Sequence, residues 1–192
     1  MTVVQHPIGT RGMTMNPTPI DTAALAELGA SDRPFRPEEC ADRARRAAAF
    51  VDTAALDRSG PGSYLLLWRN ANSEAWLNTW WQARDTGYHD HQGSCVGVHV
   101  IEGAAWQEGL PVGGPRRARR YGPGESFSFP GSGVHRMDHD AGAVTVHVYS
   151  PPIEAIGHYE IVDGELHRTA GPPDEGSPAS PRLLDALNSI GR

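Results

Sequence analysis

The chain has 192 residues and a formal charge of −6, with 17 Lys and Arg against 23 Asp and Glu. That length suits one domain with a real hydrophobic core, and the acidic balance argues against a nucleic-acid partner, which wants a basic face. With no apolar run of signal-peptide length at the N-terminus and none near the ~20 residues of a membrane span, the sequence predicts a soluble, cytoplasmic protein without a membrane partner.

Residues 1–20 are rich in Pro, Gly, Thr and Met without periodicity and read as a loose leader, so the predicted single domain is 21–192. A helical lead-in over 21–58 holds a short helix, Ala23–Leu28, capped by Asp21 or Thr22. A longer Ala/Arg-rich helix follows, opened by Arg36-Pro37-Glu38-Glu39 and running to about Val51. Pro37 suits a first turn, where its missing N–H has no partner to lose. Cys40 in this helix reads as core filling, and two cysteines define no disulfide framework.

From Tyr64 the pattern changes to short apolar or alternating runs between Gly, Pro, Asn and Asp. They are Tyr64–Trp68, Trp76–Gln82, Val96–Ile101, Ala104–Glu108, Ser126–Phe129, Val144–Tyr149 and His158–Val162. Turn signals at that spacing predict an all-β jelly-roll barrel or sandwich over 64–168. Asp85–Gly87 and Asp138–Gly142 read as turns, and Pro115–Arg120 as a solvated basic hairpin tip. The tail, 169–192, reads as a Pro/Gly/Ser-rich linker and a short C-terminal helix, Arg182–Ile190.

The chemistry concentrates in His89-Asp90-His91 and in His135, at the end of Pro130-Gly131-Ser132-Gly133-Val134. Histidines at i and i+2 on a strand share a face, about 6–7 Å apart. A third histidine from a neighbouring strand then closes a three-nitrogen metal site, and imidazole suits Fe, Zn, Cu or Ni alike. The plain alternative for such histidines is a satisfied structural role. His147 and Tyr149, with Thr145, are also spaced two apart and share a face; buried core residues are their plain alternative. His99 reads as structural or surface. His139, His158 and His167 lack partners at ligand spacing and read as exposed, Glu108 and Glu125 as turn or surface carboxylates, and the tryptophans as core or pocket wall.

Gly87, His89, His91 and Gly103, followed by Gly124, Pro130 and His135, resemble the two motifs of the cupin superfamily. The family's glutamate position falls at Val96, which leaves three neutral ligands. Within the cupins the chain resembles the cysteine dioxygenase (thiol dioxygenase) family. The resemblance rests on His89-Asp90-His91, His135-Arg136, His147-Val148-Tyr149-Ser150-Pro151-Pro152, Thr145 at a serine position and Arg69-Asn70, and it spans roughly 64–160.

It implies Fe(II) on His89, His91 and His135, and a Thr145–His147–Tyr149 relay. Arg69 would hold a substrate carboxylate through its planar fork, with Arg84 the competitor for that role. The implied reaction adds both atoms of O2 to a small thiol, L-cysteine first, giving a sulfinic acid. It also implies a cis bond at Ser150-Pro151. The cysteine that some members crosslink to the tyrosine corresponds to Val96; Cys95, one residue earlier, should face the other way. The expected partners are a small thiol and O2, the expected state a monomer or weak homo-oligomer. The alternatives are a dioxygenase for 3-mercaptopropionate or another thiol, another cupin metalloenzyme, or a non-catalytic ligand-binding cupin.

Overall fold

A computed structural model describes residues 22–110 and 116–169. The predicted leader 1–20, Pro115 of the basic cluster, and the C-terminal helix Arg182–Ile190 lie outside the described residues. The two N-terminal helices are α1 (Thr22–Gly29) and α2 (Pro37–Ala48). Pro37 opens α2 as expected, and the Glu39 carboxylate accepts the Arg36 backbone N–H at 2.7 Å, closing the helix start. α2 ends at Ala48, short of the expected Val51.

Twelve strands follow: β1 Ser63–Arg69, β2 Glu74–Trp80, β3 Arg84–Asp85, β4 Tyr88–Asp90, β5 Cys95–Glu102, β6 Ala105–Gly109, β7 Arg117–Tyr121, β8 Ser126–Phe129, β9 His135–His139, β10 Ala143–Ser150, β11 Gly157–Val162 and β12 Glu165–Thr169. They form a five-stranded sheet in the order β1-β2-β10-β5-β8 and a seven-stranded sheet in the order β12-β11-β4-β9-β6-β7, with β3 on β9. This is the expected jelly roll. Two expectations change. Arg117, Arg119 and Arg120, read as part of a hairpin tip, lie in β7, an exposed edge strand paired with β6, and three residues read as turn lie in strands, Asp85 in β3 and Asp138 and His139 in β9.

β2 and β10 are buried on both faces. Ala75, Leu77, Val144, Val146 and Val148 pack outward with Leu25, Cys40 and Ala44 of the helices. The intervening residues point inward, toward the other sheet, where Trp76, Val96, Val98 and Tyr149 build a second core. Alternation therefore sends Glu74, Asn78, Trp80, Thr145, His147 and Tyr149 to the inner face. Cys95 lies on the helix side, its sulfur 3.6 Å from that of Cys40, so it faces away from Tyr149 as its parity requires.

α2 rests directly on β5 at Gly97. A Cβ there would lie 2.0 Å from the Ala41 nitrogen and 2.2 Å from the Cys40 carbonyl carbon, both backbone atoms that cannot yield alone. Gly97→Ala should therefore destabilise the fold by about 3 kcal/mol, the cost of forcing an overpacked core apart. A chemical-denaturation midpoint shift equivalent to less than about 1 kcal/mol would contradict this contact.

Candidate metal centre and its cavity

β4 and β9 are antiparallel neighbours with His89 directly opposite His135, so both side chains leave the sheet on one face. His91 follows just beyond β4. The ring centroids stand 5.0 Å (His89–His91), 4.5 Å (His89–His135) and 5.0 Å (His91–His135) apart. One nitrogen from each lies within 4.8 Å of the others. All three residues are buried. Asp90, between the two histidines, points the other way and accepts from Tyr159 (2.5 Å) and the Gly157 backbone (3.2 Å), fastening β4 to β11.

The residues fit a metal ion on three grounds. The Nδ1 of His89 lies 3.0 Å from the Gly87 carbonyl, which can only accept, so the proton sits on Nδ1 and Nε2 is the unprotonated nitrogen, the form that ligates a metal. Neither ring nitrogen of His135 has a hydrogen-bond partner although the residue is wholly buried. Burial first, and then the neighbouring imidazoles, holds His91 and His135 far below the ordinary histidine value, which keeps them neutral and able to donate. No carboxylate joins the three donors among the described residues, and Val96 occupies the wall where a cupin glutamate was sought.

The three histidines open on a cavity of about 110 Å³. On its opposite wall Trp80 Nε1–H donates to Thr145 Oγ1 at 3.0 Å. Thr145 Oγ1 and His147 Nε2 are 3.0 Å apart, and His147 Nδ1 and Tyr149 Oη 3.1 Å apart. The indole can only donate; with the Thr145 proton assigned to Nε2, the imidazole proton sits on Nδ1, facing the phenol oxygen. On this assignment the Tyr149 proton is free to point into the cavity. Burial, with the Glu74 carboxylate second, pushes the Tyr149 phenol well above its ordinary value, so it remains protonated. Its ring centroid lies 5.1 Å from that of His91. Sequence reasoning placed three of these four groups; Trp80 was read only as core or pocket wall.

Arg69 is placed differently from the expectation. It lies in one transverse row with Glu74 and Tyr149 but does not line the cavity. Its Nη1 is 3.1 Å from Oε2 of Glu74, a residue only 1% exposed, so the fork holds an internal carboxylate. Arg84 does line the cavity, at its mouth, and donates to Tyr64 Oη at 3.2 Å. His139, expected on the surface, is buried and stacks on Trp80 with centroids 3.8 Å apart and planes 11° apart. His158 is half-buried at the cavity wall, whereas His167 is exposed as expected. Ser150–Pro151 is cis, and the Ser150 hydroxyl joins the Phe35 N–H to the Asn72 carbonyl.

Two facing sheets, with an inward cluster of three neutral histidines between them, define a cupin whose three-histidine group can hold a metal ion. The chain belongs to the cysteine dioxygenase type I family, whose model matches residues 44–162. Solved structures similar to it in shape include KdgF from Halomonas sp. (17% identity, TM-score 0.43, half of this chain and 84% of that one). An RmlC-like cupin from Desulfovibrio desulfuricans is 16% identical (TM-score 0.44, 53% of this chain and 93% of that one). BH2720 from Bacillus halodurans is 14% identical (TM-score 0.44, 72% and 92%). No curated protein matches the chain. Among the described residues no helix is long and apolar enough to cross a membrane.

Proposed function

We propose that this protein is an Fe(II)-dependent thiol dioxygenase that adds both atoms of O2 to the sulfur of a small carboxylate-bearing thiol, L-cysteine being the first candidate and 3-mercaptopropionate the second. The observation that carries the reading is the Trp80–Thr145–His147–Tyr149 chain ending in a protonated phenol in the same cavity as three carboxylate-free histidines. His89, His91 and His135 would hold the iron, which supplies a redox-active Lewis acid that favours an anionic thiolate at a site with no protein anion. The balance is RSH + O2 → RSO2H: sulfur loses four electrons, O2 gains them, and no outside reductant is needed.

The chain's own contribution is orientation and exclusion. His147 fixes the direction of the Tyr149 O–H, so the phenol presents a donor to the oxygen atoms as negative charge grows on them. Val96, Met137 and Phe129 keep that donor in a dry wall, where a hydrogen bond is stronger than in water. Small thiols stay reduced in the cytoplasm, which suits this activity to that compartment. The reading has the enzyme act as a monomer or weak homo-oligomer, without nucleic acid.

The test is O2 uptake and product mass for the iron-loaded protein with L-cysteine and 3-mercaptopropionate side by side. A gain of two oxygen atoms on the thiol is expected. Tyr149→Phe should keep its iron and lose roughly 100-fold in kcat, the order of effect of removing one preorganised donor, with a smaller change in KM. Absence of O2 uptake with every small thiol, iron being bound, overturns the reading.

A further inference from the structure

Resting on the thiol dioxygenase reading, we propose that Asn78 determines specificity for a 2-aminothiol. Its Oδ1 accepts an N–H from the substrate's amino group, and so favours L-cysteine over the same thiol without the amine. β2 carries Glu74, Trp76, Asn78 and Trp80 on its inner face, two residues apart. Asn78 lines the cavity on which the three histidines open. It lies directly opposite Tyr64 on β1 and Thr145 on β10. The three side chains form one transverse row, with neighbouring Cβ atoms about 4.5–5.5 Å apart.

The amide is buried and its oxygen has no employment within the fold. Asn78 is 2% exposed, and Oδ1 makes no hydrogen bond. Neither neighbour in the row meets it. The Thr145 hydroxyl is engaged by Trp80 and His147, and the Tyr64 hydroxyl accepts from Arg84. A carbonyl oxygen stripped of water and left unpaired costs stability, whereas an apolar side chain of the same shape costs nothing of the kind. A cavity ligand that donates to the oxygen removes the cost.

Polarity says which part of the ligand does so. Tyr149, on the same inner face, presents a phenol proton to the cavity, which suits developing negative charge on oxygen. Asn78 Oδ1 offers the opposite polarity and suits an N–H. In a cavity of about 110 Å³ a small thiol with its sulfur at the histidines has its second carbon among the remaining wall groups. L-cysteine carries nitrogen on that carbon; 3-mercaptopropionate carries only hydrogen and leaves Oδ1 unpaired. A site built around a buried polar group rejects the analogue that lacks the matching partner.

The experiment is anaerobic calorimetric titration of the iron-loaded protein with two matched pairs, L-cysteine against 3-mercaptopropionate and cysteamine against 1-propanethiol. Each pair differs only at the amine. The amine should tighten binding about tenfold or more in both pairs. Asn78→Leu, close to the parent in size, should lower both ratios about tenfold and leave 3-mercaptopropionate binding in place. Asn78→Asp, which keeps an acceptor, should preserve both ratios. Denaturation midpoints of the metal-free proteins give a readout independent of ligand: Asn78→Leu should be at least as stable as the parent, because it sheds a desolvated, unpaired oxygen. Parent ratios near one, or ratios unchanged in Asn78→Leu, overturn the assignment while thiol oxidation stands. So does a markedly destabilised Asn78→Leu, which would give the amide a structural partner, or an Asn78→Asp that matches Asn78→Leu, which would make the amide a donor. Failure of every thiol to bind overturns both.

Discussion

His135→Ala should lose its bound metal and, with it, 100-fold or more of the activity, because His89 and His91 alone cannot complete the donor set. Changing only a group that supports a metal ligand costs about 10–100-fold, so removal of a ligand sets that range as a floor. The readout that separates metal loss from misfolding is stability. In the metal-free protein both His135 nitrogens are buried without partners, so the alanine variant gives up ring packing against Phe129, whose centroid is 4.4 Å away, but also sheds two desolvated polar atoms. The metal-free variant should melt near the metal-free parent. Added Fe(II) at 100 times its Kd should raise the parent's stability by about 2.7 kcal/mol and leave the variant unmoved. A variant that retains stoichiometric metal removes His135 from the ligand set.

The parts of this arrangement that sequence revealed are those governed by strand parity alone. His89 and His91, then Thr145, His147 and Tyr149, share faces because they are two apart, and Cys95 turns away from Tyr149 because it is one residue off. Parity failed where the backbone breaks it. A register shift between Leu66 and Trp68 turns Arg69 to the inner side, opposite Glu74, and nothing in Tyr64–Arg69 announces that bulge. β4 and β9 were missed because their buried residues are mostly histidines, and β3 because it is only Arg84 and Asp85, so the apolar alternation that marks a strand is absent. His139 was hidden for the same reason: its burial comes from the Trp80 ring on the opposite sheet, a tertiary contact that no local pattern encodes. β7 reads as solvent-facing because four of its five residues are exposed, and only its hydrogen bonds to β6 make it a strand.

Arg69→Ala should act on stability and leave substrate affinity nearly untouched, the reverse of what a substrate clamp does. Glu74 is a buried carboxylate whose Oε1 accepts the Ile153 N–H at 3.2 Å and whose Oε2 lies 3.1 Å from Arg69, its one cationic partner among the described ion pairs, with the Trp76 indole a weaker contributor. Removing the guanidinium leaves that charge uncompensated. The expected loss at pH 7 is about 2–3 kcal/mol, below the fully buried case because the Arg69 side chain is 33% exposed. Burial raises the Glu74 carboxyl above its ordinary value, and Arg69 opposes that rise. The folded protein therefore holds this proton more tightly than the unfolded chain, and its stability falls as pH climbs from the ordinary carboxylate range, about 4.3, through the folded value. Without Arg69 the folded value rises further, so the variant should lie closest to the parent near pH 4 and furthest from it at pH 7. Glu74→Gln in the Arg69→Ala background removes the stranded charge and should recover most of the loss. Denaturation midpoints of the two single variants and the double variant at both pH values measure the coupling. An Arg69→Ala protein as stable as the parent at pH 7, with a raised KM for a carboxylate thiol, would return Arg69 to the substrate.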